Sequence, residues 1–313
     1  SVAGACSTGT HGSGDGNGSL PTAVVAVELV RGDGELVRFA AGDPQFPGAV
    51  LALGCVGVVT RLWLRVEPAY AVRQVVHTGL PTAAVLDGIR PLMGAAHSVS
   101  LFTTFRDPFV LDAAWVKRRS MPGDAPAGPL LGVAPALQPQ HPVPGMDPVA
   151  TTDQLDVPGP WHHRLPHFRT AFTPSSGEEL QSEYSLPRAH AAPALEALTR
   201  LAPRLVGPLQ VCEVRTVAAD DLWLSPCHGR DAVTLHFTWH PDRRALDPVL
   251  TEVERALEPF DARPHWGKVF HPLDAGRLEE MYPDLPRFRD LVGASDPHGR
   301  FRNAMTDVLL GLG

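Results

Sequence analysis

Charged and polar side chains alternate along two apolar segments in the C-terminal half of the chain. Glu213 and Arg215 lie two residues apart in one segment, so in a strand their side chains point to the same face. His236 and Thr238 have the same spacing in the other segment. If the two strands share a sheet, these four groups line one pocket, where a polyhydroxylated ligand supplies the hydrogen-bond partners that buried polar groups need.

The same alternation is also compatible with two different arrangements of these side chains. One is a solvated sheet face on which Glu213 and Arg215 form an exposed ion pair worth less than about 1 kcal/mol. The other is a metal site at His236 and His240, but no carboxylate or third histidine has the spacing of zinc ligands. The pattern therefore predicts no metal, and it leaves a choice between the pocket and the solvated face.

A third candidate is the short segment 263–270, which combines a histidine, a tryptophan and a lysine. In an extended conformation it sends His265 to one side and Lys268 to the other, so it reaches two ligands at once. A lysine next to Arg215 favours the alkoxide form of a substrate hydroxyl because it stabilises negative charge. The alternative is a strand end with Lys268 in water and Trp266 in the core. Other polar residues have no partner at a useful spacing and are expected on the surface or in loops: Asp107, Glu183, His162 and His163.

The chain opens with residues 1–19, in which glycines alternate with small hydroxyl side chains. Glycines let main-chain N–H groups approach a phosphate or a flat ring closely, and the hydroxyls add donors, so the stretch suits an anionic cofactor. It contains neither the lysine of a P-loop nor the Gly-x-Gly-x-x-Gly of a Rossmann turn. The alternative is a flexible terminal linker, against which Thr10 and His11 inside the run argue.

Composition narrows the class of protein. The 313 residues carry a formal net charge of −7 without a basic cluster that has interleaved aromatic residues, so we expect no nucleic-acid partner. No apolar run approaches the ~18 residues of a membrane helix. We expect a cytoplasmic monomer that acts on a small molecule. The cysteines are widely spaced, which predicts reduced thiols and no disulfide framework: Cys6, Cys55, Cys212 and Cys227.

Hydrophobic periodicity and turn signals predict the elements that position these residues. Asp33 and Gly34 join two apolar runs, 23–30 and 35–40, which predicts a β-hairpin. Residues 50–66 contain glycines and then alternate, which predicts a turn that leads into a strand. Further strands are predicted at 98–105, 112–118, 180–186, 209–217 and 232–240. Helices are predicted at 83–96, 189–205, 246–257, 275–282, 286–292 and 301–312.

The order of the predicted elements indicates the fold class. After residue 180 it runs strand, helix, strand, strand, helix, which is typical of an α+β sheet covered on one face by helices. A long proline-rich connection, residues 122–160, precedes this part of the chain, and connections of that length are usually functional or mobile.

An ordered set of short motifs makes the chain resemble a known family. The motifs lie at 8–14, 53–60, 213–215, 236–239, 265–268 and 301–304, and segments 142–146 and 173–184 add to them. In this order they resemble the FAD-dependent alditol (xylitol) oxidases of the vanillyl-alcohol-oxidase flavoprotein superfamily, which are related to the aldonolactone oxidases. The resemblance covers nearly the whole chain. Each motif alone is weak, and the ordered set is specific.

The resemblance implies roles for individual residues, and it selects the same pocket as the strand-face argument. In the implied reaction two cations favour the alkoxide of a terminal hydroxyl, FAD takes the hydride, and O2 reoxidises the flavin to give hydrogen peroxide. The implied catalytic residues are Arg215, Lys268 and His236. The implied polyol-binding residues are Glu213, Arg215, Thr238 and Lys268. The implied FAD contacts are Ser1, Gly4, Thr8, Gly9, Thr10, His11, Val59 and His265.

The resemblance also implies a domain organisation. Residues 1–67 would form the C-terminal half of a PCMH-type FAD-binding domain, and residues 68–313 an α+β substrate domain with a mixed or antiparallel sheet, whose tail from about 296 returns to the flavin domain. Family members have further residues before the position of Ser1, including a histidine that tethers the flavin. We therefore expect the 313-residue chain alone to bind FAD weakly or not at all, and to be inactive. The alternatives are a D-arabinono-1,4-lactone type oxidase and a non-catalytic polyol-binding protein.

Overall fold

The computed structural model describes residues 1–106, 109–172 and 178–312. The strands are β1 (Val24–Val30), β2 (Leu36–Ala40), β3 (Val58–Leu64), β4 (Ala71–Leu80), β5 (Ser98–Thr103), β6 (Leu111–Ser120), β7 (Gly159–Pro160), β8 (Leu180–Pro187), β9 (Leu209–Val217), β10 (Ala232–Trp239) and β11 (Arg263–Pro264). The α-helices are α1 (Val2–Ser7), α2 (Phe46–Val50), α3 (Thr82–Met93), α4 (Ala191–Thr199), α5 (Ala202–Leu205), α6 (Arg243–Leu257), α7 (Ala275–Met281), α8 (Leu285–Ser295) and α9 (Ala304–Leu309). Short 3-10 turns lie at Leu20–Ala23, Pro148–Ala150, Trp161–His163, Arg188–His190 and Glu258–Phe260.

The strands form two sheets with antiparallel pairing. The small sheet has the order β2-β1-β3, and the large sheet has the order β11-β8-β10-β9-β5-β6-β4-β7. The predicted hairpin of β1 and β2 is confirmed, and Gly34 adopts a positive φ of 90° in its turn. The antiparallel sheet with its helices confirms the predicted α+β class.

One face of the large sheet packs against helices. Because side chains alternate along a strand, Val233, Leu235, Phe237 and Trp239 of β10 all point to this face, and each is fully buried. They belong to one apolar cluster with the buried sides of α4 and α6. The predicted helix-covered face is therefore confirmed.

The opposite face carries the polar residues and is partly covered by the long connection between β6 and β8. A second, smaller apolar cluster lies there, and partly buried residues of the connection pack against it. The connection covers this face at β4, β5, β6 and β9. The polar residues of the neighbouring strands β8 and β10 therefore lie beside the covered part. The buried cluster consists of Val76, Phe102, Ala113, Trp115 and Val211, and Ala136 and Val143 of the connection pack against it.

Strand register aligns the polar residues across three neighbouring strands. His236 of β10 lies directly opposite Glu213 of β9 on one side and Glu183 of β8 on the other. Thr234, the preceding residue on the same face, lies opposite Arg215. Directly opposed residues in an antiparallel pair share a face, so both carboxylates and the guanidinium are held on the same side of the sheet.

A third apolar cluster joins the small sheet to the C-terminal helices. It contains Val27 of β1, Leu51, Tyr282, Phe288 of α8 and Leu309 of α9, all of them buried. The C-terminal tail therefore packs against the first part of the chain. The division into domains at residue 67 stays a prediction.

Several elements lie where the sequence analysis placed none, and α1 and β4 are two of them. Helix α1 occupies the start of the glycine-rich stretch, where the Ser1 hydroxyl accepts a hydrogen bond from the Gly4 N–H at 3.2 Å and caps the helix. Strand β4 lacks a clear alternation because neighbouring residues such as Val75 and Val76 are both buried, one on each face. Burial on both faces removes the period-two signal that reveals a strand.

Two further features concern the cysteines and the length of the helices. All four cysteines are buried and free. Among the described residues, none of the helices combines the length and the apolar character that crossing a bilayer requires.

Leu250 tests the packing of α6 against the sheet. Its side chain is fully buried in the largest cluster, so Leu250→Ala is expected to lower the free energy of unfolding by about 3 kcal/mol. Thr251→Ala, on the exposed side of the same helix, is the control and is expected to change it by less than about 0.5 kcal/mol. Denaturant unfolding followed by circular dichroism measures both, and equal effects would contradict the assigned orientation of the helix.

Candidate functional site

A cavity of about 750 Å³ lies between the glycine-rich stretch, the open part of the polar sheet face and the turn after β11. Its size is within the range of small-molecule sites. Residues of the glycine-rich stretch and polar residues of the strands, which the sequence analysis identified separately, line the same cavity. The lining residues are Thr8, Thr10, His11, Glu179, Leu180, Gln181, Glu183, Arg215, His236, His265, Gly267, Lys268 and Val269.

Glu183 is the buried anion at the centre of this cavity. Its side chain is 1% exposed, and its Oε1 atom accepts a hydrogen bond from Arg215 at 2.7 Å while Oε2 accepts one from Lys268 at 2.5 Å. The Nε2 atom of His11 lies 3.0 Å from Oε1. The expectation that Glu183 has no partner is therefore wrong, because its partners come from three distant segments that sequence spacing does not connect.

Opposite charges around Glu183 control its ionisation. Burial alone would raise the pKa of Glu183, but Arg215, Lys268 and His11 hold this pKa well below its usual value. Burial lowers the pKa of Lys268, and the carboxylate of Glu183 opposes that effect. Burial would also lower the pKa of Arg215, yet Glu183 and Glu213 raise it. At neutral pH an ionised carboxylate thus holds two cations at the cavity wall.

Glu213 forms a second cluster of contacts below the cavity. Its Oε1 atom lies 2.9 Å from His167 Nε2, and its Oε2 atom lies 3.5 Å from both Arg215 Nε and His236 Nδ1. Burial would raise the pKa of Glu213, but Arg215 and His167 hold it well below its usual value. Arg215 therefore lies between two ionised carboxylates, which fixes the direction of its guanidinium.

Two histidines of the cavity are neutral at physiological pH. Burial lowers the pKa of His236 to about 4 and that of His265 to about 3. The Gly267 N–H donates to His265 Nδ1 at 3.1 Å, so the ring proton of His265 is on Nε2. Within the described ranges, His236 Nε2 is buried without a hydrogen-bond partner. These ring nitrogens leave hydrogen-bonding capacity for a ligand.

The segment after β11 is a turn and not an extended strand end. The Lys268 N–H donates to the His265 carbonyl at 3.1 Å, so both side chains face the same cavity. The expectation of side chains on opposite sides is wrong, because the chain reverses over these residues. Trp266 is buried, and its Nε1–H donates to the Leu224 carbonyl.

Three more of the predicted cofactor residues lie at the cavity or directly next to it. Thr8 and Thr10 line the cavity, and Gly9 between them adopts a positive φ of 76° that a side chain would strain. Further along the stretch, Gly14 has a φ of 134°, and an added Cβ would lie 2.3 Å from the His97 carbonyl oxygen. Glycine is therefore required where this stretch packs against the large sheet.

Besides Gly9 and Glu213, which adjoin lining residues, four predicted site residues lie away from the cavity lining. Ser1 and Gly4 form the capped start of α1. Thr238 lies on β10 two residues after His236 on the same face and is partly buried. Val59 lies on β3 and packs against the cluster of the small sheet. The roles given to these residues stay predictions.

The structure adds one side chain to the site that the sequence analysis missed and leaves other polar residues outside it. His167 on the long connection contacts Glu213, and the isolated histidine gave no spacing signal. His162 and His163 are exposed, as predicted. Asp107 and residues 173–177, the first part of the segment 173–184 that supports the resemblance, lie outside the described residues.

Side-chain chemistry at the cavity favours an oxygen-rich organic ligand over a metal ion. His11, Glu183 and His265 bring one ligand atom each to within 4.8 Å of the others. The carboxylate of Glu183 already pairs with Arg215 and Lys268, so a divalent ion would add a third cation beside them. Two fixed cations and neutral imidazoles suit hydroxyl groups that acquire negative charge.

Substitution of Glu183 tests the central ion cluster. Glu183→Gln leaves Arg215 and Lys268 without their buried anion and is expected to lower the free energy of unfolding by about 3 kcal/mol at pH 7. The lowered pKa of Glu183 contributes stability above the unfolded-state pKa of about 4.3, and this stability is lost as pH falls through the folded-state value. The difference in unfolding free energy between the parent and Glu183→Gln is therefore expected to become smaller below about pH 4.

A partly exposed ion pair provides the matched control. Glu252 pairs with Arg204 at 3.0 Å at the surface, and Glu252→Gln is expected to cost less than about 1 kcal/mol. Urea unfolding at pH 7 and at pH 3 measures both variants. Equal destabilisation by the two substitutions, or a difference that does not narrow in acid, would contradict the assigned role of Glu183.

Sequence and fold comparisons both relate this chain to known oxidoreductases. The D-arabinono-1,4-lactone oxidase family model matches residues 176–309. An alditol oxidase from Streptomyces is 51% identical over 310 residues, which cover 99% of this chain and 73% of the relative. An L-gulono-1,4-lactone dehydrogenase from Mycobacterium tuberculosis is 24% identical, with coverage of 99% and 74%.

Solved structures share the fold at low sequence identity. Cholesterol oxidase from B. sterolicum superposes with a TM-score of 0.72 at 16% identity, over 98% of this chain and 74% of that one. Glucooligosaccharide oxidase from Acremonium strictum gives 0.67 at 10% identity, over 97% and 70%. These likenesses concern the fold, and the Streptomyces relative decides the family. The chain belongs to the alditol oxidase family of FAD-dependent oxidoreductases.

Proposed function

We propose that the protein oxidises a terminal hydroxyl of an alditol such as xylitol or sorbitol to the aldehyde, with O2 as acceptor and hydrogen peroxide as second product. The observation that carries the proposal is the buried Glu183, which holds Arg215 and Lys268 at one wall of a cavity whose other wall is the glycine-rich stretch. The family assignment supplies the alditol as the substrate class. We also propose that it acts as a cytoplasmic monomer.

The residues at the cavity fit a flavin. Thr8 and Thr10 offer hydroxyls at the glycine-rich wall, and His265 offers Nε2–H. When bound, FAD accepts the two electrons of the oxidised C–H bond and passes them to O2.

Arg215 and Lys268 act on the hydroxyl that is oxidised. Both are cationic and fixed by Glu183, so they stabilise negative charge on the substrate oxygen without reorganisation. His236 Nδ1 faces the ionised Glu213, so its proton is on Nδ1 and its Nε2 lone pair is free. A neutral imidazole in this state accepts the hydroxyl proton at Nε2.

Glu213 and Thr238 hold neighbouring hydroxyls of the substrate in this proposal. Thr238 lies on the same face of β10 as His236, which extends the row of polar groups along the strand. A chain of hydroxyl groups presents a donor and an acceptor at each carbon, so a row of polar side chains orients it. Orientation of this kind selects the terminal carbon for oxidation.

An aldonolactone is the second candidate substrate class. The match of residues 176–309 to the D-arabinono-1,4-lactone oxidase family model favours it, because this range contains Glu213, Arg215, His236 and Lys268. The test supplies FAD to the protein extended by the N-terminal segment that family members carry before the position of Ser1, and it compares xylitol and sorbitol with 1,4-lactones in an assay for hydrogen peroxide. Peroxide formed with alditols supports the proposal, and peroxide formed with lactones alone contradicts it.

Lys268 tests the proposed charge stabilisation. In the same extended, FAD-loaded protein, Lys268→Met is expected to lower kcat for xylitol by about 100-fold with a smaller change in KM, because the lost interaction strengthens as negative charge develops. Arg255→Met on the exposed side of α6 is the control and is expected to leave kcat unchanged. An equal kcat for parent and Lys268→Met, measured by peroxide formation, would contradict the role of Lys268.

A further inference from the structure

Lys117 is a buried cation that the proposed mechanism does not use. Its side chain is among the largest that are fully buried, and its Nζ atom donates hydrogen bonds to the Leu165 carbonyl and, at 3.2 Å, to His167 Nδ1. Lys117 and Lys268 are the only lysines in the sequence, and the other basic side chains are arginines and histidines. Both lysines lie in the polar interior at one face of the sheet.

The contacts of Lys117 set the proton position on His167. A lysine ammonium group only donates, so His167 Nδ1 accepts and the ring proton is on Nε2. That Nε2–H lies 2.9 Å from Glu213 Oε1 and donates to it. A directed chain of hydrogen bonds thus leads from Lys117 through His167 to Glu213, which in turn contacts Arg215.

Packing fixes the orientation of the His167 ring. Phe102 and Trp115 contact it edge to face, with ring centroids 5.4 and 5.1 Å away. The main chain is also held, because the Thr152 N–H donates to the His167 carbonyl at 2.9 Å. The long connection therefore presents one histidine in one orientation to the substrate side of the sheet.

Charge couples Lys117 to the cavity. The charged and titratable groups that face it are His167 from the connection and Glu213 and Arg215 from β9. Burial lowers the pKa of Lys117 to about 7, Glu213 opposes this effect, and Arg215 adds to it. Lys117 is thus a cation below about pH 7 and loses its charge as pH rises through that value.

We propose that Lys117 and His167 are a positioning pair that holds the carboxylate of Glu213, and through it Arg215, in the arrangement that binds the polyol, so that polyol affinity depends on the charge of Lys117. The inference rests on the proposed polyol site. The pair does not touch the substrate. It acts through Glu213, which the family resemblance assigns to substrate binding.

Calorimetric titration of xylitol into the 313-residue chain at pH 6 and pH 8 tests the inference without any turnover. In the parent protein the Kd is expected to rise several-fold from pH 6 to pH 8, as Lys117 loses its charge. In Lys117→Met the Kd at pH 6 is expected to be about 10-fold higher than in the parent. The Kd of this variant is expected to be the same at pH 6 and at pH 8.

Variants of His167 give a second measurement that does not depend on the folding of Lys117→Met. His167→Phe keeps the packing against Phe102 and Trp115 but removes the donor to Glu213, and it is expected to raise the Kd about 10-fold. His167→Gln retains an amide donor and is expected to stay within about threefold of the parent. His163→Phe, at an exposed histidine of the same connection, is the control.

The possible outcomes distinguish a failure of this inference from a failure of the proposed polyol site. A parent chain that does not bind xylitol contradicts the proposed polyol site, and the inference falls with it. A parent that binds xylitol while Lys117→Met retains the same pH step contradicts the inference alone. Equal affinities for His167→Phe and His167→Gln contradict it as well, because a role in packing alone would not depend on the amide donor.

Discussion

The burial of one carboxylate determines the chemistry of the site. Glu183 pairs with Arg215 and Lys268 in the interior, and removal of any partner would leave a buried charge uncompensated. The carboxylate keeps both cations in place before a ligand arrives, and in the proposed reaction no side-chain reorganisation is then needed when charge develops on a substrate oxygen. Such an arrangement costs desolvation energy, which is more readily explained by function than by stability.

The rest of the structure serves to hold this ion cluster. Antiparallel register places Glu183, His236 and Glu213 side by side, and the helices on the other face keep the three strands together through fully buried apolar residues. The turn after β11 brings Lys268 to the same wall, and the glycine-rich stretch closes the cavity from the opposite side. The long connection covers the neighbouring part of the sheet and adds His167 beneath Glu213.

The sequence predicted those parts of the site that depend on local periodicity. Alternation in β9 and β10 identified Glu213, Arg215 and His236, and the flanking apolar residues identified the helix-covered face. Glu183 was missed because its partners come from three segments distant in sequence, and spacing along one strand carries no signal for such contacts. The turn at 265–268 was predicted as extended for the same reason, since its reversal depends on packing around Trp266. FAD and the alditol came from the family resemblance and not from pattern.

The most direct test of the proposed site is a crystal structure, with xylitol bound, of the FAD-loaded protein that includes the N-terminal segment of family members. We expect a terminal hydroxyl oxygen within about 3.2 Å of both Lys268 Nζ and the Arg215 guanidinium. Glu183 is expected to keep its contacts to both cations in this complex. A polyol bound outside the cavity, or bound within it with its terminal hydroxyls directed away from both cations, would contradict the role proposed for the two cations.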